Sequence, residues 1–255
     1  MTKEDRQNAI LDQLLTQESV LVSELATSLD VSLVTIRKDL TELEKAGKLY
    51  RSHGKAILIN PFTNNRSVNE KEKLKAEEKQ LIGAEAVKLL AKDDSIILAS
   101  GTTIHALACN IHAESRLTIV SASLQATMTL AANDNIDIIQ LGGMVRHSSV
   151  SVVGQYSMEI LRGCSFTKLF LGVDGIDLDF GISTTDMREA ELNRSMMNAA
   201  QKTIVLADSS KFGRRGFAKI SGLEDVDIII TDAKIPQCVA NKIEEMGIEL
   251  IIAGS

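Results

Sequence analysis

The stretch that decides the fold of the N-terminal part of this chain is SLVTIRKDLTEL, residues 32–43. Ile36, Leu40 and Leu43 are spaced i, i+4 and i+7, so they share one face of a helix. Ser32 precedes them and can accept a hydrogen bond from an unpaired backbone N–H, which makes it the predicted N-cap. The pattern therefore predicts a helix with one apolar face packed on a core.

The other face of this helix carries short polar and cationic side chains near its N-terminus. Thr35, Arg37 and Lys38 lie there, and such side chains reach base edges and phosphates when a helix enters the DNA major groove. We predict that these three residues contact DNA, together with Ser32 at the helix start.

Two further helices and a hairpin are predicted around this stretch. The predicted elements are helices over residues 3–17 and 23–29 and short strands over residues 48–51 and 55–59. Helix, helix, turn, helix and hairpin is the order of a winged helix-turn-helix. Its wing would place Arg51, His53 and Lys55 beside the phosphate backbone. The alternative is a small helical domain that uses the same packing to bind protein.

The charge of the chain limits how it can bind nucleic acid. The net charge of −6 argues against a protein that coats nucleic acid. Between residues 33 and 55, however, six basic residues outnumber three acidic ones. This distribution fits a specific reader of DNA with a local basic surface.

Length and composition favour two modest domains. The chain has 255 residues, 44% of them hydrophobic, and with 3% aromatics and no Trp its cores must be aliphatic. Three cysteines far apart in sequence indicate neither a disulfide framework nor a zinc site. No apolar run approaches about 18 residues, and the N-terminus lacks a signal-peptide core. We expect a cytoplasmic protein with no metal, no cofactor and no membrane contact.

A linker and a charged helix follow the predicted wing. Residues 60–70, NPFTNNRSVNE, contain Pro61 and four Asn, which predicts a linker. The helix predicted over residues 70–92 begins with Glu, Lys and Ala almost throughout, and we expect that half to be a solvated face. The predicted domains are a winged helix-turn-helix over 1–59, a linker with the start of a connecting helix over 60–75, and an α/β domain over 76–255.

From Ser95 onward, apolar runs alternate with helical patterns. The predicted strands lie at residues 96–99, 117–120, 136–141, 168–173, 203–207, 226–231 and 249–252. The predicted helices lie at residues 103–112, 123–133, 155–163, 186–200 and 236–246. Strands that are continuously apolar are covered on both faces, so this order predicts an α/β domain with a mainly parallel sheet.

Small, hydroxylated and charged residues follow the predicted strands. In open α/β sheets ligands bind at the carboxyl ends of strands, so these residues are expected to converge on one rim. The candidate ligand-binding residues are Ser100, Gly101, Thr102, Thr103, Ser121, Gly142, Gly143, Asp174, Gly175, Glu189, Asp208 and Lys211. A glycine followed by hydroxyls at a helix start, as in SGTT at 100–103, suits a phosphate group.

The charged candidates allow more than one role. Lys211 can neutralise a phosphate or contact a sugar oxygen, or it can be an exposed loop lysine. Asp174 and Asp208 can bond sugar hydroxyls, act as acid–base groups or form turns. Glu189 lies three residues after Asp186, a capping-box spacing, so it can stabilise a helix start as well as contact a ligand.

Two sets of short motifs, one in each half of the chain, carry a resemblance to a known family. The N-terminal set is ELA at 24–26, VS at 31–32, TIRKDL at 35–40 and RSHGKA at 51–56. The C-terminal set is IG at 82–83, GTT at 101–103, LGG at 141–143, LGVDGI at 171–176 and ADSSKFG at 207–213. In order and spacing, these motifs resemble those of the DeoR family of bacterial transcription regulators, over nearly the whole chain.

The resemblance implies a winged helix-turn-helix joined to a sensor domain similar in fold to ribose-5-phosphate isomerase. It also implies repression of a sugar-metabolism operon, relieved by a phosphorylated sugar. By the same likeness Gly101, Thr102, Thr103, Asp174 and Lys211 belong to the effector pocket. The implied partners are double-stranded operator DNA and further copies of the chain in a homodimer or homotetramer.

Four positions depart from the family pattern. Ala99 and Ala122 stand where the family often has Asp and Asn, which removes two polar side chains from the predicted pocket. Lys38 and Lys55 stand where Arg and Gly are usual, which keeps the DNA-facing surface cationic.

Two other functions are compatible with the residues. A sugar-phosphate isomerase-like enzyme with an accessory N-terminal domain would use Asp174, Asp208, Glu189 and Lys211 as acid–base groups. A protein-interaction module would show no salt-dependent DNA binding. The DNA-facing helix and wing favour a regulator without catalytic residues.

Overall fold

The structure is a computed structural model, and it describes residues 2–17, 19–45, 48–52, 54–58 and 68–254. Contacts within the chain divide it into two compact units, Met1–Asn64 and Asn65–Ser255. His53 and most of the predicted linker lie outside the described residues. No helix in these ranges combines the length and the apolar character needed to cross a bilayer.

The first unit contains three helices and a three-stranded sheet among its described residues. Its elements are α1 (Lys3–Gln17), β1 (Ser19–Leu21), α2 (Val22–Ser28), α3 (Leu33–Lys45), β2 (Leu49–Ser52) and β3 (Lys55–Leu58). The strands are antiparallel in the order β1-β3-β2. The winged helix-turn-helix is confirmed. β1 escapes prediction because three residues are too few to show an alternating pattern.

The apolar face of α3 packs into the core of this unit. All three of its predicted apolar positions are buried, in one cluster with Ile10 and Leu14 of α1. The Oγ atom of Ser32 accepts a hydrogen bond from the Thr35 N–H at 3.2 Å, so Ser32 is the N-cap of α3, as predicted. The residues on the opposite face of α3 are thereby left at the surface.

The second unit has an α/β fold. Its helices are α4 (Val68–Lys73), α5 (Ala76–Val87), α6 (Thr102–Asn110), α7 (Leu124–Leu130), α8 (Gln155–Arg162), α9 (Met187–Ala199) and α10 (Gln237–Glu245). Its strands are β4 (Ser95–Leu98), β5 (Leu117–Ser121), β6 (Ile136–Gln140), β7 (Met144–Arg146), β8 (Ser151–Val153), β9 (Lys168–Gly172), β10 (Gly175–Asp177), β11 (Gly181–Thr184), β12 (Thr203–Leu206), β13 (Ala218–Ser221), β14 (Ile228–Asp232) and β15 (Glu249–Ala253). Two short 3-10 helices span Ser209–Lys211 and Leu223–Asp225.

Seven strands form a parallel sheet in the order β15-β14-β12-β9-β4-β5-β6. They are the seven strands that the sequence predicts. The chain order reverses between β4 and β9, since β4 leads to β5 on one side and β9 leads to β12 on the other. Open α/β sheets bind ligands beside such a reversal, at the carboxyl ends of the strands.

Apolar side chains cover both faces of this sheet, which explains the continuous apolar strands. One buried cluster includes residues of α5, α6 and α7, and the other includes residues of α8, α9 and α10. β4 contributes to both, because Ile96 and Leu98 join the first cluster and Ile97 joins the second. The five predicted helices after residue 95 are α6 to α10.

The charged segment after the linker forms two helices instead of one. α4 ends at Lys73 and α5 begins at Ala76, while Lys75 between them has a φ of 56°. A left-handed residue cannot continue a right-handed helix, so the single helix predicted over 70–92 is wrong. α5 also ends earlier, at Val87.

Five short strands pair outside the large sheet. β7 pairs with β8, and β11 lies between β10 and β13, all antiparallel. They escape prediction because they are only three or four residues long. They belong to the connections that follow β6, β9 and β12, so they shape the loops that carry the candidate ligand-binding residues.

Candidate anion-binding rim and nucleic-acid interface

The rim is the carboxyl-end edge of the parallel sheet with its loops, and Asp174 lies there, in the two-residue connection between β9 and β10. Its Oδ1 atom accepts a hydrogen bond from the Lys71 ammonium at 2.8 Å and lies 3.9 Å from the Lys211 Nζ atom. Its Oδ2 atom accepts from the hydroxyls of Thr184 and Thr185 at 3.2 and 3.4 Å. Two cations and two hydroxyls therefore surround one carboxylate.

These neighbours determine the charge of Asp174. Burial alone would raise the pKa of this carboxyl, but the positive charges of Lys71 and Lys211 outweigh it and hold the pKa far below its usual range. Burial also lowers the pKa of Lys211, against the attraction of Asp174. The carboxylate is therefore ionised at neutral pH and can accept hydrogen bonds.

Glu189, in the first turn of α9, connects three parts of the rim. Its Oε1 atom accepts a hydrogen bond from the Ser100 hydroxyl at 2.7 Å, and its Oε2 atom accepts one from the Thr184 hydroxyl at 2.8 Å. The Nη1 atom of Arg146 lies 3.3 Å from the same Oε2. The Asp186 side chain caps α9 by accepting from two backbone N–H groups. The Glu189 carboxylate thus holds the end of β4 against β11.

Lys79 in α5 is buried, with only 6% of the residue exposed. Its Nζ atom donates to the backbone carbonyls of Lys71 and, at 2.6 Å, of Leu74. Burial lowers the pKa of Lys79 to about 8, while the nearby Asp208 carboxylate acts in the opposite direction. The expectation of a solvated face on this charged segment is wrong at Lys71 and Lys79, because both ammonium groups have partners in the interior of the unit.

The first turn of α6 lies at the same edge, after β4. Gly101 precedes it with a φ of 114°, a backbone conformation that favours glycine. Thr102 and Thr103 are buried in this first turn. The unpaired N–H groups of a helix start, combined with hydroxyls, form a binding surface for an anion.

Asp208 is buried at the start of the short helix that contains Lys211. Its Oδ1 atom accepts from the N–H and the hydroxyl of Ser210, at 3.1 and 2.5 Å. Its negative charge also acts to raise the pKa of Lys79 and of Lys211. Asp208 therefore orders this loop and offsets part of the positive charge at the rim.

Four other predicted rim residues bond to backbone or side-chain groups of the second unit or lie close to its backbone. The Ser121 hydroxyl donates to a carbonyl of β4 at 3.2 Å, and the Gly142 carbonyl accepts from a hydroxyl of α8 at 2.5 Å. A Cβ atom on Gly143 would lie 2.5 Å from a backbone oxygen of β8. A Cβ atom on Gly175 would lie 2.5 Å from a backbone oxygen of the connection between β12 and β13. Gly143 and Gly175 therefore require glycine, because a backbone passes close to each of them.

Direct contacts thus join four of the predicted residues into one network: Ser100, Asp174, Glu189 and Lys211. Sequence reasoning missed further members, which are Lys71, Lys79, Arg146, Thr184 and Thr185. Arg146 has a signal, since it follows the Gly142-Gly143 pair closely. Nothing in the local pattern around Lys71 or Lys79 distinguishes them from the neighbouring exposed lysines.

The predicted DNA-facing side chains lie at the surface of the first unit. Arg37 and Lys38 on α3 and Lys55 on β3 are exposed, and Thr35 is half-buried. The hydroxyls of Ser32 and Thr35 lie 2.9 Å apart, so the N-cap interaction holds both. The cationic groups of α3 are therefore on the face opposite its buried stripe.

Arg51 in the wing is paired with Glu44 near the end of α3. Its Nε and Nη2 atoms lie 2.9 and 2.7 Å from Glu44 Oε2, and its backbone N–H donates to Oε1 at 3.0 Å. Both side chains are about one-third exposed, at 36 and 34%. This pair fastens β2 to α3 and holds the Arg51 guanidinium at the surface.

Comparison with protein families identifies both units. A model of the DeoR-like helix-turn-helix domain matches residues 6–62, and a model of the DeoR C terminal sensor domain matches residues 74–233. The chain belongs to the DeoR family. The resemblance seen in the sequence motifs is thereby confirmed, and the DeoR assignment makes the chain a DNA-binding transcriptional regulator.

Two DeoR-type relatives match almost end to end. The HTH-type transcriptional regulator GolR of Listeria innocua is 32% identical over 249 residues, covering 98% of each chain. The HTH-type transcriptional repressor GlcR of Bacillus subtilis is 31% identical over 252 residues, covering 99% of this chain and 97% of its own. A solved ribose 5-phosphate isomerase from Methanocaldococcus jannaschii matches 54% of this chain and 55% of its own, at 17% identity and a TM-score of 0.41.

Proposed function

We propose that this DeoR-family regulator represses a sugar-metabolism operon, and that a phosphorylated sugar bound at the rim relieves the repression. The observation that carries the proposal is the pair of lysines, Lys71 and Lys211, that share the carboxylate of Asp174. A phosphate dianion suits two convergent ammonium groups, because charge-assisted hydrogen bonds are roughly twice as strong as neutral ones.

The phosphate group would bind between these lysines and the first turn of α6. β4 pairs with β9, so the start of α6 and Asp174 follow neighbouring strands at one edge of the sheet. The backbone N–H groups after Gly101 and the hydroxyls of Thr102 and Thr103 supply donors. Donors and cations from two strand ends would thus share one anion.

The sugar hydroxyls would bond to the carboxylates of the rim. Asp174 is ionised and 19% exposed, and Asp208 and Glu189 border the same lysines and hydroxyls. Ser121, Gly142, Gly143 and Gly175 would shape the walls through their backbone contacts. The methyl side chains of Ala99 and Ala122 have no polar atom to offer a ligand, and both are buried in the core on the side of α8, α9 and α10. Effector selection would then depend on the charged groups.

In the first unit, α3 and the wing would contact operator DNA. The proposed contacts are Ser32, Thr35, Arg37 and Lys38 on α3, and Arg51, His53 and Lys55 in the wing. Contacts to phosphates fix the position of the protein, and contacts to base edges specify the sequence. A homodimer or homotetramer would present paired α3 helices to a palindromic or repeated operator.

Fluorescence anisotropy of the full chain with labelled DNA from upstream of its own gene tests this function. It is measured at two salt concentrations and with a panel that includes ribose 5-phosphate, glucose 6-phosphate and fructose 1-phosphate. We expect salt-dependent, specific binding that one sugar phosphate weakens at least about tenfold, a coupling of the size usual between two sites. Lys211→Gln should lose this response, whereas Lys88→Gln, an exposed lysine of the same unit, should keep it.

Specific DNA binding that ignores the whole panel would remove the sugar-phosphate part of the proposal. The isomerase-like alternative has weaker support, because Glu189 is held by Ser100 and Thr184 and the Asp174 carboxylate is paired with Lys71. Aldose–ketose isomerisation of a pentose phosphate by the wild-type chain, lost in Asp174→Asn, would restore that alternative.

A further inference from the structure

α4 is the first described element after the wing. Its range, Val68–Lys73, follows residues 59–67, which connect it to β3 in the sequence. It also lies between the two segments matched by the family models, 6–62 and 74–233. α4 therefore occupies the segment that joins the two matched domains.

Contacts along its length hold α4 to the rest of the second unit. Val68 is buried, with 2% exposed. The Lys71 ammonium donates to Asp174 at 2.8 Å. The Glu72 carboxylate lies 3.3 Å from His105 Nδ1 in α6 and accepts from the Gln125 amide in α7 at 3.1 Å. A segment of six residues is thus attached at the rim and at two helices that follow rim strands.

The buried Lys79 fixes the end of α4. Its ammonium donates to the carbonyls of Lys71 and Leu74 at the end of α4, and the Lys71 carbonyl also accepts from the Leu74 N–H at 3.2 Å. The backbone of Lys71 is therefore anchored at the same time as its side chain reaches Asp174. If the Lys71 ammonium changes its partner, the contacts that hold α4 in place change as well.

The carboxylates around Asp174 do not neutralise all of the positive charge there, so a second anion can bind. Three ammonium groups, those of Lys71, Lys79 and Lys211, act on one another, and the carboxylates of Asp174, Asp208 and Glu72 offset part of their charge. The guanidinium groups of Arg146 and Arg214 add further positive charge. Lys71 and Lys211 both point to the same Asp174 oxygen, at 2.8 and 3.9 Å. An arriving phosphate dianion carries more charge than that oxygen, so it competes with Asp174 for both lysines.

We infer that Lys71 is a phosphate-binding residue of the effector site, and that the effector takes it over from Asp174 and so changes the hold on α4. The inference rests on the proposed function. It specifies how effector binding at the rim would alter the contacts of α4, the helix that follows the DNA-binding unit in the sequence. Lys71 then has two partners in turn, Asp174 without effector and the phosphate group with it. The differential contact that a ligand-driven switch requires is supplied by this exchange.

The first experiment measures binding of inorganic phosphate to the full-length chain by calorimetry, with chloride at matched ionic strength. The variants are Lys71→Gln, Asp174→Asn and the control Lys73→Gln, an exposed lysine of the same helix. Loss of a charged hydrogen bond should raise the Kd of Lys71→Gln about tenfold or more. Asp174→Asn removes the competing anion and should lower the Kd several-fold, while Lys73→Gln stays within about twofold of wild type.

Opposite shifts in Lys71→Gln and Asp174→Asn support the inference, since a general loss of folding would weaken binding in both. Equal Kd values for Lys71→Gln and Lys73→Gln would overturn it, as would a chain to which phosphate does not bind. Hydrogen exchange over residues 68–75 should change with phosphate in wild type and not in Lys71→Gln. Unchanged exchange in a wild-type chain that binds phosphate would also overturn it.

Operator release separates this inference from the proposed function. If a sugar phosphate releases DNA from Lys71→Gln as readily as from wild type, the proposed repressor function is supported and the role of Lys71 is refuted. If phosphate binds through Lys71 but no sugar phosphate in the panel affects DNA binding, Lys71 is an anion ligand and the proposed effector class is wrong.

Discussion

Arg6 in α1 and Asp39 in α3 form an ion pair inside the first unit. The Arg6 Nε atom lies 2.5 Å from one Asp39 oxygen and an Nη atom lies 3.1 Å from the other, and the Asp39 side chain is only 2% exposed. α3 thus turns Asp39 inward, directly after two basic residues, Arg37 and Lys38, that face outward. This bidentate pair fixes the angle at which α3 presents Arg37 and Lys38.

Replacing Arg6 with Ala should loosen α3. The change leaves the buried Asp39 carboxylate without its guanidinium, and removing one partner of a buried pair is strongly destabilising. Hydrogen exchange of the α3 peptides in the full chain should accelerate about tenfold or more. Lys3→Ala is the control, because the Lys3–Glu42 pair on the same helices is exposed. Equal exchange in the two variants would show that the buried pair does not hold α3.

Replacing Arg37 with Ala should abolish specific operator binding while the second unit stays folded. Arg37 is exposed on the side of α3 that we propose faces DNA, and a base-contacting arginine contributes about 1–3 kcal/mol of discrimination. Fluorescence anisotropy measures the affinity, and circular dichroism verifies the fold. Arg116→Ala, an exposed arginine in the second unit, is the control and should bind like wild type. Unchanged operator affinity in Arg37→Ala would remove this residue from the interface.

Replacing Glu44 with Gln should strengthen DNA binding that does not depend on sequence. Glu44 holds the Arg51 guanidinium at 2.7 Å, so its neutralisation frees that cation for a phosphate oxygen. The slope of log affinity against log salt should then steepen by about one unit. Glu42→Gln makes the same charge change on the same helix, where Glu42 pairs with Lys3 instead. Identical slopes for the two variants would mean that Arg51 contributes nothing beyond net charge.

Replacing Gly172 with Ala should distort the rim. A Cβ atom there would lie 2.8 Å from the backbone oxygen of Ser100, so β9 or the loop after β4 must move, at a cost of about 1–3 kcal/mol. We expect a lower melting temperature and weaker anion binding. Gly163→Ala is the control, because a Cβ atom at that position meets nothing within 4 Å. Wild-type anion affinity in Gly172→Ala would place the ligand away from the junction of β4 and β9.

Anion binding at the rim should weaken as pH rises through about 8. Burial lowers the pKa of Lys79 from 10.5 to about 8, so its charge is present below that pH and lost above it. Because the pKa of this lysine is depressed on folding, its contribution to stability runs the other way and rises with pH between about 8 and 10.5. A phosphate monoester has its second pKa at about 6 and stays almost fully dianionic over this range.

Calorimetry with a phosphate monoester such as glycerol 3-phosphate between pH 7 and 9.5 measures this dependence. The Kd of wild type should rise with pH. Lys79→Gln should bind more weakly at pH 7, and its Kd should change less with pH. Lys73→Gln should follow wild type, because Lys73 is exposed. A profile in Lys79→Gln as steep as that of wild type would assign the pH dependence to another group.

Local sequence patterns were sufficient for α3 and for the strands of the large parallel sheet. The i, i+4, i+7 spacing in α3, the cap at Ser32 and the apolar runs of the seven parallel strands each reflect a period that a few neighbouring residues display. The candidate rim followed for the same reason, since carboxyl ends of parallel strands share an edge whatever their order. Ser100, Asp174, Glu189 and Lys211 could therefore be named as candidates before their contacts were known.

Only the tertiary structure decided which charged groups meet. Lys71 is 103 positions from Asp174 in the sequence, and its surroundings read like any solvated lysine-rich helix. The strand order sets β4 beside β9 and so determines which loops approach one another. The left-handed turn at Lys75 then directs α4 to the rim. Periodicity reports which face of an element is buried, but the partner of a buried charge depends on contacts between distant segments, which no local pattern contains.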